Sequence, residues 1–205
     1  MKVTRYFQSC LLIEDNGARI LIDPSGQEKQ RLSDFGKLDA VFYTHEHSDH
    51  FDAEMAKTFV EQAVAPVYAN ASTAKLIEAS KTIVDDGREY EVNGMKVKAI
   101  ELPHCLMVDG STSVQNTGYL INNKLFHPGD GKELEGLQAE VLAVPLSGPD
   151  ISPHDAFLFA KQVQAKQVIP IHYDYLGGNP QFFAKVVDKN GMKTHILEIG
   201  KSAEL

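Results

Sequence analysis

The segment Thr44-His45-Glu46-His47-Ser48-Asp49-His50 places four metal-capable side chains, His45, His47, Asp49 and His50, within six residues. Neutral imidazoles joined by a carboxylate suit zinc and related divalent cations, since each imidazole offers one strong lone pair and the carboxylate offsets charge. A polar loop explains any single histidine here. All four together, directly behind the apolar run at residues 40–44, point to a metal site. The helical His-Glu-x-x-His pattern of zinc proteases does not apply, because Asp49 occupies the position of its second histidine. Further along, Asp23 closes the apolar run Ile20-Leu21-Ile22 and His104 follows Ile100-Glu101-Leu102-Pro103. Asp130 follows Phe126-His127-Pro128-Gly129, and His172 follows Val168-Ile169-Pro170-Ile171. Taken singly these are turn residues or polar caps. Repeated around one dense cluster, they are candidates delivered to a common place by strand ends.

The elements that must deliver them follow from periodicity. Residues 3–7, 10–14 and 19–23 read as a meander, with Asp15-Asn16-Gly17 as the second turn. Residues 40–44 read as a buried strand, residues 53–63 as a helix with Met55, Phe59, Val60 and Ala63 on one face, and residues 66–68 as a strand. Ser72 is expected to cap the next helix. Asp85-Asp86-Gly87 marks a turn before a strand pair around Tyr90 and over 95–102. Strands follow at 118–121, 124–127 and 140–146. Ser152-Pro153-His154-Asp155 opens a helix to Gln164, residues 167–171 form a strand, Asn179-Pro180 opens a helix to about Lys189, and residues 194–199 close as a strand. Each half thus runs from adjacent strands into strand–helix alternation, and no linker divides residues 1–205. The expected fold is α/β: two facing mixed sheets flanked by helices, in one domain.

The sequence has 205 residues, 43% hydrophobic and 23% charged, enough for a sizeable core without disulfides. The formal net charge of -8 and a pI near 5.4 disfavour nucleic-acid binding, which needs a basic surface to release counterions. Cys10 and Cys105 are too few for a disulfide framework and suit a reducing compartment. With no apolar stretch of signal-peptide or spanning length, a cytoplasmic protein acting on a small molecule, without membrane or nucleic-acid partners, is expected.

Thr44–His50 matches the His-x-His-x-Asp-His signature of the metallo-β-lactamase superfamily, and Leu21-Ile22-Asp23-Pro24 resembles the aspartate motif ahead of it. The motifs ending at His104 and Asp130 and the segment around His172 are similar in order and context, so the resemblance spans most of the chain. It is nearest to the small bacterial branch of metal-dependent hydrolases that includes the ascorbate-6-phosphate lactonase type, and implies the four-layer αβ/βα sandwich. It implies that His45, His47 and His104 hold one metal, that Asp49, His50 and His172 hold a second, and that Asp130 bridges both. Seven candidate ligands also exceed what one tetrahedral zinc accepts, so either two metals bind or several of these residues act from behind the ligands. Zinc is the expected metal, with manganese or iron as alternatives. The implied activity is hydrolysis of an ester, lactone, amide or phosphodiester by a metal-activated hydroxide, with Asp49 and Asp130 as catalytic groups. Asp23 is expected to support a ligand from behind, and His127 either to do the same or to line the pocket. The branch often carries Gly-His-Ser near the first turn, where this chain has Phe7-Gln8-Ser9. Alternatives on the same fold are a nuclease, a mononuclear iron oxygenase and a non-catalytic metal-binding regulatory module. Residues 25–33 and 107–117 are expected to shape the pocket, whereas His154, His195, Cys10 and Cys105 receive no chemical role.

Overall fold

The computed structural model describes residues 1–62 and 65–205. Strands β1 (Lys2–Arg5), β2 (Leu11–Asp15) and β3 (Ala18–Ile22) form an antiparallel meander, to which β4 (Ala40–Tyr43), β5 (Val67–Ala69) and β6 (Thr82–Ile83) add in parallel. The second sheet repeats this plan. Strands β7 (Glu89–Val92), β8 (Met95–Glu101), β9 (Thr117–Ile121) and β10 (Leu125–His127) form the meander, and β11 (Val141–Pro145), β12 (Gln167–Ile171) and β13 (Lys193–Thr194) continue in parallel. Strand β14 (Ser202–Glu204) returns to the first sheet beside β1, giving two sheets of seven strands. A 3-10 helix (Gly26–Phe35) and helices α1 (Ala53–Glu61), α2 (Ala71–Ala74), α3 (Pro153–Gln162) and α4 (Pro180–Lys189) complete the chain.

Alternation along the strands explains the layers. In β4, Ala40 and Phe42 join the apolar cluster between the sheets, while Val41 and Tyr43 join the one beneath α1. In β11, Val141 and Ala143 face inward, and Leu142 and Val144 pack with Phe159 of α3 and Phe183 of α4. Strands buried on both faces must be apolar throughout, which is why these segments read as continuous hydrophobic runs. The result is the αβ/βα sandwich.

The pairing also fixes where the strands end. β3 and β4 run parallel; β8 and β10 both run antiparallel to β9; β10, β11 and β12 run parallel. The C-terminal ends of β3 and β4 in one sheet, and of β8, β10 and β12 in the other, therefore lie at one edge of each sheet. Those ends carry Asp23, His45, His104, Asp130 and His172.

Some expectations shift. The short helix α2 is capped by Asn70, whose side chain accepts from the Thr73 N–H, and Ser72 lies inside it. Either residue type can cap, and Asn70 wins because its Nδ2 also donates to the Thr44 and Gln115 carbonyls. The closing strand expected over 194–199 is split: β13 ends at Thr194, and the chain crosses to the first sheet through a turn at Gly200, φ 78°. Residues 25–33 are mostly the 3-10 helix, capped by Ser25 and Glu28. Of the apolar face expected for the first helix, Met55 and Phe59 are buried and Ala63 lies outside the described residues. Among the described residues no helix is long and apolar enough to cross a membrane.

Cys10 and Cys105 are buried and unpaired with one another. Burial pushes the Cys10 thiol well up and that of Cys105 up to about 12. Because only the thiolate reacts, native protein at pH 8 should resist alkylation at both sites and take up label only when unfolded. Stoichiometric labelling of the folded protein within minutes, read by intact mass, would contradict this.

Candidate metal centre

The strand ends converge on two adjoining groups of donors: His45, His47, His104 and Asp130 in one, Asp49, His50 and His172 in the other. Within each group the ligand atoms all lie within 4.8 Å of one another. Asp130 stands between them. Its Oδ2 is 3.6 Å from His104 Nε2, while its Oδ1 is 3.2 Å from His50 Nε2 and 3.5 Å from His172 Nε2. One carboxylate oxygen thus faces each group.

The backs of the imidazoles are tied off. His50 Nδ1 donates to Asp23 Oδ2 at 2.8 Å. Thr44 gives its N–H to Asp23 Oδ1 and its hydroxyl to Oδ2, so its oxygen accepts from His45 Nδ1 at 3.0 Å. His104 Nδ1 donates to the Cys105 carbonyl and His172 Nδ1 to the Ser147 carbonyl. These bonds hold a proton on Nδ1 of each ring and turn its Nε2 inward. His47 runs the other way: its Nε2 lies 3.1 Å from Ser113 Oγ, leaving Nδ1 to ligate.

The inward atoms have only one another as neighbours of polar character. His45 Nε2, His50 Nε2, His104 Nε2 and Asp130 Oδ1 are buried without a hydrogen bond. Each buried polar atom left unmade costs roughly 1–3 kcal/mol, so four aimed at one another gain nothing for the fold by themselves. Cations at their meeting point remove that cost, and the donor set of imidazoles and carboxylates fits divalent zinc, manganese or iron.

The electrostatics divide the two groups, since against its burial the carboxylates of Asp130 and Asp49 raise the pKa of His172. Burial, reinforced by His50, holds the His45 pKa well below the ordinary histidine value, and burial with His104 lowers that of His47, so both rings are neutral near pH 7. Burial opposes the His50 cation, yet the Asp130 and Asp23 carboxylates outweigh it and push its pKa well up. Burial likewise opposes an ionised Asp130, but His172 and His50 keep its carboxyl well below the usual range.

Residues 2–172 match the family described as the beta-lactamase superfamily domain. A UPF0173 metal-dependent hydrolase of Bacillus thuringiensis is 30% identical over 231 aligned positions, covering 100% of both chains. The chain belongs to the metallo-β-lactamase superfamily. Protein Rv0786c of Mycobacterium tuberculosis is 30% identical over 178 positions, 84% of each chain. Among solved structures, Igni18, a metallo hydrolase from Ignicoccus hospitalis, superposes with a TM-score of 0.80 at 22% identity, covering 98% of this chain and 97% of its own.

Within this superfamily frame, the remaining sequence candidates separate. Asp23, fully buried at φ 52°, contacts no inward donor atom; it fixes His50 and, through Thr44, His45. His127 has both nitrogens engaged, Nε2 with the Ser9 carbonyl at 2.8 Å and Nδ1 with the Gly129 N–H at 3.2 Å, and lies outside both donor groups. It steadies the turn that presents Asp130. Gly129 in that turn has φ 60°, and a Cβ there would meet Asn116 Oδ1 at 2.3 Å and Thr44 Cβ at 2.9 Å. Only glycine lets the Asp130 loop press this closely against the residue preceding His45. His154 is exposed, and His195 bonds Gln167.

Several positioning residues escaped the sequence reading. Asn116 donates to the Leu102 and Pro128 carbonyls, stitching the His104 loop to the Asp130 loop. Gln8 is fully buried. Its Oε1 accepts from the N–H groups of Asp174 and Tyr175, which sets the amide orientation, and its Nε2 reaches Asp49 Oδ2 at 3.3 Å. This neutral side chain braces Asp49.

Proposed function

We propose that the chain is a hydrolase using two divalent cations, zinc by donor type, one held by His45, His47 and His104, the other by Asp49, His50 and His172, with Asp130 between them. The observation that carries this reading is the set of buried, unpartnered atoms of His45, His50, His104 and Asp130 converging behind fixed Nδ1 hydrogen bonds. Relatives described as metal-dependent hydrolases support this reading. Cations bound there would acidify a water toward neutrality and polarise the carbonyl or phosphoryl group of an ester, lactone, amide or phosphodiester.

The chain supplies the rest. Asp49 is a donor open to the cleft, with a side chain 32% exposed. Burial raises its pKa, but the hydrogen bond from His172 and the charge of His50 bring the carboxyl well below the usual range. An ionised carboxylate facing the cleft would accept a hydrogen bond from the attacking water and orient it, and Gln8 and His172 hold that carboxylate in place. The cleft above is about 280 Å³, which suits a small molecule, and the net charge of -8 disfavours a nucleic-acid substrate.

Protein loaded with metal should hydrolyse at least one member of a panel comprising an aryl ester, a lactone and a phosphodiester. Chelation should abolish the activity and returned metal should restore it. Fully metallated protein inert to the whole panel would favour the non-catalytic module instead.

A further inference from the structure

We propose that this cleft takes an uncharged substrate bearing an apolar substituent next to the scissile bond, and not a phosphorylated or carboxylated one; this rests on the hydrolase reading and narrows it. The walls above the donors include Phe7, Met107, Pro149, Tyr175 and Leu176, and among the described residues no lysine or arginine lines the cleft. Recognition of a phosphate or carboxylate away from the metals needs such a cation, most often the guanidinium fork.

Three cations lie two residues along the chain from a lining residue, and each is already engaged. Arg5 pairs with Asp174 and donates to the Leu197 carbonyl, Lys29 lies 2.9 Å from Asp52, and Lys132 lies 2.6 Å from Asp150. The carboxylates of Asp49 and Asp130 on the cleft floor are committed to the cations in this reading, so an anionic tail beyond them would meet no free cationic side chain.

The apolar wall is built rather than incidental. Large apolar side chains left in water include Leu106, Val108, Tyr175 and Leu176, at 40%, 88%, 71% and 56% exposure. They fall in two segments that reach the cleft through Met107 and through Tyr175 and Leu176. Clustered exposure of this kind marks a surface that is covered when a ligand arrives. Its base is rigid: Asp174 and Tyr175 donate their N–H groups to Gln8 Oε1, and the Asp174 carboxylate accepts from the Gln8 N–H and from Arg5. Tyr175 and Leu176 therefore stand ready, with little ordering cost on binding.

Hydroxamic acids, which are neutral in solution and chelate metals as the monoanion, test this without turnover. Acetohydroxamate, hexanohydroxamate and a phosphonate-ended analogue of the latter would be titrated calorimetrically into the metal-loaded full chain. Hexanohydroxamate should bind at least about tenfold tighter than acetohydroxamate, since each fully buried methylene is worth roughly fourfold. The phosphonate-ended compound should gain nothing over acetohydroxamate. A Tyr175→Ser, Leu176→Ser double variant should keep its metal content and its affinity for acetohydroxamate while losing the gain from the longer tail. A tighter phosphonate, an absent chain-length gain, or a gain unchanged in the double variant overturns the inference and leaves the hydrolase reading standing. Metal-loaded protein that binds no hydroxamate and turns over no substrate removes the hydrolase reading, and the inference with it.

Discussion

Asp130→Asn is expected to fold, to lose metal from one or both groups, and to lose turnover by at least about 100-fold. Even the outer partners of metal ligands cost roughly 10–100-fold when changed, and Asp130 lies closer than they do. Its two oxygens face different donor groups, so its charge is what allows two cations to sit side by side. Asparagine keeps the shape and removes that charge. The competing role is structural: Asp130 follows the tight turn at Gly129, and its carbonyl accepts from the Cys105 N–H. Those backbone contacts survive in the variant. A purely structural role therefore predicts a lower melting temperature with metal and turnover per folded molecule retained. Metal content, melting temperature and activity measured on one preparation separate the two, and a fully metallated, active Asp130→Asn removes Asp130 from the site.

Histidine-to-alanine changes should fall into two grades. His47→Ala removes an imidazole from the first donor group and is expected to strip metal and nearly all activity. His127→Ala is expected to keep its metal, because both of its nitrogens already serve Ser9 and Gly129 and no lone pair is left to ligate. Its cost appears elsewhere: the Ser9 carbonyl and the Gly129 N–H lose their partner in a buried place, at roughly 1–3 kcal/mol each, so its melting temperature should fall. If His127→Ala loses metal as completely as His47→Ala, the separation drawn between them is wrong.

The donors were legible because their chemistry is local. Four metal-capable residues in one short segment, and further ones each closing an apolar run, announce themselves by type and position, and two-sided burial makes strands such as β4 and β11 readable. What escaped depends on distant partners. Nothing near Gln8 in sequence reveals that it joins Asp49 to Asp174 and Tyr175, and nothing around Asn116 reveals the two loops it ties. Asn70 and Ser72 are both good caps, and a contact to Thr44 decides between them. The end of the chain misled for a related reason: residues 194–199 carry strand-like side chains, but the backbone must leave one sheet to pair with β1 in the other.

The central claim is that the seven donors form one centre for two cations. Metal per chain, determined by elemental analysis after saturation and removal of loose ions in a non-chelating buffer, tests it most directly. The account predicts two per chain for the wild type. A value that stays at one or below under saturation would contradict it and leave one of the two donor groups without a metal.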